Sequence, residues 1–285
     1  MKHELPLDRR SLHGHFSRDL PPVLTVEPGD SVRLETPNGG WALGPGALFE
    51  PRTSPEDDGH ALAGPIEVRG AREGDTLCVR VEDVTPGSWG VTEAAPHTEI
   101  HWQLADGIGR SSTGHEVRLA PFLGVMGMPP VGHGVHSTTP PRRQGGNIDC
   151  KELVAGTTLY LPVPYDGACF SAGDGHAAQG DGEVSGTAIE CPTSATVTLA
   201  LRDDLRVEWP CARTAGAWLT FGFDADLDLA ARIALDGMLD LMGREHGLDR
   251  GDALALASVA VDLRVTQVVN GQLGVHAVLR DDALR

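Results

Sequence analysis

The run Ser171-Ala-Gly-Asp-Gly-His-Ala-Ala-Gln-Gly-Asp-Gly-Glu-Val-Ser-Gly-Thr-Ala-Ile-Glu190 is the densest cluster of chemically able side chains in the sequence. Asp174 and His176 stand two residues apart, and so do Asp181 and Glu183. In extended backbone such pairs point to one face. The connector Ala177-Ala-Gln-Gly180 is short enough to fold the pairs together, which would bring one imidazole and three carboxylates into a small volume. Like charges that close cannot all ionise unaided: either one carboxylate keeps a proton or a cation sits among them. Imidazole nitrogen and carboxylate oxygen together form a ligand set for a divalent metal. Spacing alone also allows a plain Gly/Asp-rich turn with solvated carboxylates.

Two weaker clusters accompany it. In Gly145-Gly-Asn-Ile-Asp149, Asn147 and Asp149 share a face if the backbone is extended. In Pro96-His-Thr-Glu-Ile-His101, Glu99 is in the wrong place for an HExxH zinc helix. On a strand, His97, Glu99 and His101 would share a face, and His101 is a candidate substrate contact. Nucleophiles are poorly supported. Cys150 lies beside Lys151, but neighbours on a strand point to opposite faces. The sequence has no GxSxG elbow, no SxxK and no phosphate-binding glycine loop.

Three segments that could position these groups share a pattern, a Gly-containing turn followed by alternating apolar residues: Glu27 to Glu35, Arg72 to Val81 and Val154 to Val163. Each predicts a strand with one buried face. Ser194 to Glu208 and Trp218 to Phe223 read as further strands. Pro121 to Gly146 reads as a long irregular loop, with a soft boundary between a β-rich domain 1–145 and an α+β domain 146–285. Asp226 to Gly247 has helical spacing, Asp252 opens a second helix ending near Leu263, and Asn270-Gly271 marks a hairpin.

Composition limits the partners. The 285 residues carry 23 basic and 40 acidic side chains, a net charge of −17. Nucleic acids and anionic membranes need a basic footprint that this chain lacks. A small neutral substrate would not be repelled. The five cysteines are odd in number and include no CxxC pair, so they suggest a reducing compartment rather than a disulfide framework. With no signal-like N-terminus and no membrane-length apolar run, a cytoplasmic location is expected.

The sequences Pro140-Pro-Arg-Arg-Gln-Gly-Gly-Asn-Ile-Asp149, Leu161-Pro-Val163 and Gly173-Asp-Gly-His-Ala-Ala-Gln-Gly-Asp-Gly-Glu183 closely resemble signatures of the acetamidase/formamidase family. Gly64 to Asp75 and Ser258 to Gly271 resemble its upstream and C-terminal segments, so the likeness runs through nearly the whole chain in order. The departures are small: Ile148 stands where Met is common, and Arg72-Glu73 where Glu-Pro is frequent. The resemblance implies hydrolysis of short linear amides, a mainly β fold of sandwich or barrel type with an α+β C-terminal part, homodimers or larger homo-oligomers, and a divalent ion, zinc or calcium.

Together these readings assign Asp174, His176, Glu183 and Asp149 as metal ligands. Asp181, or a non-ligating Glu183, is the expected general base. Asn147 or Gln179 would donate to the oxyanion, with Gln179 and His101 contacting substrate. Lowering the pKa of water from ~15.7 to ~7 stabilises hydroxide by at most ~12 kcal/mol, enough to matter against amide resonance. The alternatives are a metal-free route through Cys150 or Cys169, and a binding protein with a structural ion site.

Overall fold

The three glycine-led segments form neighbouring or near-neighbouring strands of one sheet. In the computed structural model, which describes residues 1–50 and 52–284, they are Asp30–Thr36, Thr76–Pro86 and Thr158–Pro162. The turns before them use Gly29, Gly74 and Gly156 at φ of 96°, 88° and 90°, a conformation in which a Cβ would be strained. Thr193–Arg202 inserts between the first two, and the sheet extends to nine strands in the order Lys2–Leu5, Asp30–Thr36, Thr193–Arg202, Thr76–Pro86, Thr158–Pro162, Cys211–Arg213, Ala217–Asp224, Leu273–Arg280 and Val261–Gln267. Thr193–Arg202 alternates buried and half-buried positions along most of its length, as a strand with one covered face should.

A second sheet lies against the first. Its strands run Gly145–Asn147, Phe122–Gly127, Phe170–His176, Leu62–Val68 and Leu12–His13, with Leu24–Val26 also pairing to Leu62–Val68. One apolar cluster joins the two sheets, with Val32, Leu34, Val79 and Val197 from the first and Ile66, Met126, Phe170 and Ala172 from the second. The architecture is therefore mainly β, two sheets sharing a sandwich core. Every residue of Phe122–Gly127 and Phe170–His176 is buried, so these strands have no polar face to reveal alternation.

That burial explains one difference from the sequence reading. Phe122-Leu-Gly-Val-Met-Gly127 is a central strand, not part of an irregular loop. The boundary at 145/146 falls within no break in either sheet, since strands from before and after it alternate in both. A four-stranded sheet of Glu116–Arg118, Ile108–Ser111, Thr98–Ala105 and Trp89–Ala94 stands beside the sandwich.

Two helices cover the far part of the nine-stranded sheet. Helix α1, Leu227–His246, starts where the Asp226 side chain accepts from the N–H groups of Asp228 and Leu229, and stops at Gly247 with φ 67°. Such an N-cap contributes about 1 kcal/mol. Its buried Ala230, Ala234, Met238 and Leu241 pack with Val275, Ala277 and Leu279 in a second core. Helix α2, Arg250–Ala260, is capped by Asp249 rather than by Asp252, because the Asp249 carboxylate accepts from the Asp252 N–H. It ends at Ala260, where the strand Val261–Gln267 begins. The hairpin turn holds Asn270 and Gly271 at φ of 54° and 72°. Among the described residues, no helix is long and apolar enough to cross a membrane.

One buried histidine sets a pH response of the fold. His13 pairs through Nδ1 with the His15 carbonyl at 2.6 Å and through Nε2 with Ser171 Oγ at 2.9 Å. Burial lowers its pKa from 6.5 to about 4. The folded protein keeps the ring neutral while the unfolded chain takes up a proton, so its contribution is complete above pH 6.5 and is lost as pH falls toward about 4. At ~1.4 kcal/mol per pH unit the loss is of order 3 kcal/mol. Denaturant titrations at pH 7 and pH 4 should show a smaller drop in His13→Gln than in the parent protein; equal drops would refute the assignment.

Candidate active site

Five buried side chains converge around the end of the strand Phe170–His176: Asp149, Asp174, His176, Glu183 and Glu190. Asp174 and His176 come from the end of Phe170–His176. Phe122, opposite His176 in the neighbouring strand, meets the imidazole edge-on at a centroid distance of 5.0 Å. Asp149 is held by backbone: the Gly124 carbonyl accepts from the N–H groups of Ile148 and Asp149 at 3.0 and 3.2 Å. Glu183 arrives because Gly182 N–H donates to the Thr266 carbonyl and Val268 N–H donates back to the Gly182 carbonyl. The C-terminal hairpin thereby pins the loop that carries Glu183.

Two networks fix His176. Gln179 Nε2 donates to the Asp149 carbonyl at 2.7 Å, so Gln179 Oε1 is the end that pairs with His176 Nδ1 at 3.0 Å. The Nδ1 proton therefore belongs on that side. His176 Nε2 faces Asp174 Oδ2 at 3.4 Å and Glu190 Oε1 at 3.2 Å. Glu190 Oε1 also accepts from the Ala188 N–H at 2.8 Å. Asn270 Nδ2, from the hairpin turn, donates to Asp149 Oδ2 at 2.7 Å.

Four carboxylates against one imidazole leave the charge unbalanced. Burial works against the imidazolium, but Glu190 and Asp174 outweigh it and raise the His176 pKa well above 6.5. Burial also opposes ionisation of Asp174, yet His176 and His60 hold its carboxyl below the usual range. Burial, then the Glu183 charge, pushes Asp149 well above the usual range. Burial raises Glu183 to about 7 against the pull of His176. Asp149 Oδ1, Glu183 Oε2 and Asn147 Oδ1 are buried without a hydrogen-bond partner. Unpaired buried carboxylate oxygens are costly, and a cation is the usual remedy. Two donor sets have all their ligand atoms within 4.8 Å of one another, Asp149–His176–Glu183 and Asp174–His176–Glu190. The residues present fit a divalent ion.

Backbone strain collects in the same place. Of the eight non-glycine residues at positive φ among those described, Asp149, Asp174, Glu183 and Asn270 belong to this cluster. Asp and Asn tolerate that region; Glu183 at φ 44° does so less readily. Such outliers persist where surrounding structure over-determines them, commonly at reacting centres. The cluster opens on a cavity of about 130 Å³ whose lining includes Asn38, His60, Val91, Asn147, Asp174, Glu183, Glu190 and Asn270. That is smaller than the ~300 Å³ at which ordinary small-molecule pockets begin, and suits a ligand of few heavy atoms. A wider groove of about 370 Å³ shares Glu183 and Thr187 with it.

Three candidates from the sequence stand elsewhere or are already committed. Asp181 is half exposed and paired with Lys151 Nζ at 3.1 Å and with Arg264 Nη2 at 2.6 Å. Burial would raise its carboxyl, but Arg264 and Lys151 hold it below the usual range, so it is a poor base. Both ends of the Gln179 amide are used, by His176 and by the Asp149 carbonyl, and neither is free for substrate. His101 is on the four-stranded sheet, exposed beside Glu99 at 3.5 Å. Spacing gives Glu190, His60 and Asn38 no chemical role, and Asn270 only that of a hairpin turn. Glu190 closes the polar run, a visible signal; the other three come from distant segments.

A family model described as Acetamidase/Formamidase matches residues 2–133 and 120–214. The chain belongs to the acetamidase/formamidase family. Among solved structures it is similar to an acetamidase from Bacillus halodurans, with TM-score 0.87 and 28% identity over 97% of each chain. An acetamidase from Yersinia enterocolitica gives TM-score 0.89 and 25% identity, covering 100% of this chain and 94% of that one. A formamidase from Methylophilus methylotrophus is 25% identical over 258 residues, 64% of this chain and 63% of that protein. The chain spans less than two thirds of the length of the curated relatives it matches: 64%, 61% and 63% for three of them. The family match runs through Asp149, Asp174, His176, Glu183 and Glu190 and leaves the helices and C-terminal hairpin outside it.

Proposed function

We propose that this chain hydrolyses short linear amides, of the size of formamide or acetamide, to a carboxylate and ammonia. The observation that carries this reading is a buried carboxylate–histidine cluster with unpartnered oxygens, opening on a cavity of about 130 Å³. The names of the similar proteins, acetamidase and formamidase, support it.

His176 with Asp174 and Glu190, or with Asp149 and Glu183, would hold a divalent ion. Zinc suits the imidazole and calcium the oxygen-rich remainder. Such an ion supplies Lewis acidity toward the amide carbonyl and toward water. The chain's own residues do the rest. Where Asp174, His176 and Glu190 hold the ion, a non-ligating Glu183, its carboxyl raised to about 7, can take a proton from water at Oε2 and return it to the departing amine. Asn147, on the cavity wall, can donate from its amide to the developing oxyanion. Gln179 and Asn270 act through other residues, orienting His176 and Asp149.

Cys150 and Cys169 do not line the cavity, and burial pushes both thiols up, which speaks against a covalent route. The five free cysteines suit a reducing, cytoplasmic setting. Val259, Leu263 and Leu254, exposed on α2 and the edge strand, suit pairing with a second copy.

Ammonia release from formamide and acetamide should be lost on chelation and return with one added divalent ion. Activity that persists after metal removal would sink the ion's role. No ammonia from the metal-replete protein would sink the amidase reading. A monomer mass by light scattering on the same sample would remove the second copy.

A further inference from the structure

A second group of ligand-type side chains adjoins the first site in the chain. Cys150 follows Asp149 directly, and Glu152 is two residues further on. His276 reaches them from the strand Leu273–Arg280. Cys150 Sγ is 3.2 Å from Glu152 Oε2, and His276 Nε2 is 3.6 Å from the same oxygen. Ligand atoms of all three lie within 4.8 Å of one another. Cys150 and His276 are each 1% exposed.

The His276 ring is the informative member. Its Nδ1 pairs with Thr266 Oγ1 at 2.8 Å, while Nε2 is buried with no hydrogen-bond partner. At 3.6 Å, Glu152 is too far for a hydrogen bond. An imidazole anchored through Nδ1 to an oxygen, with Nε2 free and facing a thiol and a carboxylate, has the usual arrangement of a metal-ligating histidine.

We propose that Cys150, Glu152 and His276 form a second metal site, selective for a borderline cation such as zinc. Thiolate and imidazole favour such an ion over calcium or magnesium. Charge balances: a divalent cation meets one thiolate, one carboxylate and a neutral imidazole, and the Cys150 proton leaves to solvent on binding. Arg264 Nη1 donates to the other Glu152 oxygen, Oε1, which orients the carboxylate and leaves Oε2 to the site. An ion here ties the turn after Asp149 to the strand that follows the Asn270 hairpin, and so restrains the segment that carries Asp149.

The test uses the full chain stripped of metal and titrated with cobalt(II). The first site has only nitrogen and oxygen donors. A thiolate-to-cobalt charge-transfer band in the near ultraviolet therefore reports the second site alone. The expected result is two cobalt ions per chain and a band that Cys150→Ser abolishes, with one ion and the circular dichroism spectrum retained. His276→Gln should raise the Kd of the band-bearing site at least about tenfold. No band in the parent protein, or a band that survives in Cys150→Ser, overturns the proposal. Should Cys150→Ser fail to fold, the His276→Gln titration decides, and an unchanged Kd overturns it.

Discussion

If the proposed amidase reading holds, His176→Ala is expected to empty the proposed first metal site and to lower kcat/KM for acetamide by at least ~10⁴-fold, with kcat falling in parallel. His176 is the one residue common to both donor sets, so no other single truncation removes a ligand from each. Losing roughly 5–6 kcal/mol of transition-state stabilisation corresponds to that factor at ~1.4 kcal/mol per decade. Without a bound ion, the imidazole is also the partner that Asp174 and Glu190 face, at 3.4 and 3.2 Å. Removing one partner of a buried pair typically costs 3–5 kcal/mol, so the thermal midpoint should drop as well. Metal content and kinetics measured on one preparation decide the matter. Normal metal content would refute the ligand role; activity within tenfold of the parent would remove His176 from the reacting centre.

Gly124→Ala is expected to lower kcat/KM by ~10²–10³-fold while leaving the sheet assembled. A Cβ built at Gly124 would stand 2.6 Å from Asp174 Oδ2, 2.7 Å from Asp149 Oδ1 and 2.8 Å from His176 Cε1. No side chain fits at those separations, so three site residues must shift. The backbone cannot easily give way. Its strand lies between Phe170–His176 and Gly145–Asn147, and its carbonyl accepts from both Ile148 and Asp149. Overpacking of this kind costs about 1–3 kcal/mol, which a sheet this extensive can absorb. A displacement of about 1 Å at a reacting centre can cost about 100-fold in rate. The metal Kd should rise at least about tenfold by the same displacement. Full activity in Gly124→Ala would mean that the space above this glycine is not where the reaction occurs.

Much of this is legible in the sequence itself. The 3.6-residue spacing and the Asp226 and Gly247 caps marked α1 because helical periodicity and capping are local. The strand Thr193–Arg202 showed itself by alternation, since one of its faces stays partly open. Phe122–Gly127 did not, because a strand covered on both faces has no alternation to display. Asp174, His176 and Glu183 could be nominated from spacing in one short run. Asp181, with the same spacing, could not be told from Glu183 without knowing that Arg264 and Lys151 would meet it.

By itself, the sequence determined the residue types of the chemistry, the mainly β class with a helical C-terminal part, and the family, because each is written in short-range pattern or motif. The tertiary structure alone decided which carboxylates share the imidazole, that Gln179 is spent on orienting it, and that Asn270 reaches Asp149. Those outcomes depend on strands distant in sequence lying side by side. Which charge is buried without a partner follows only from what the fold packs around it.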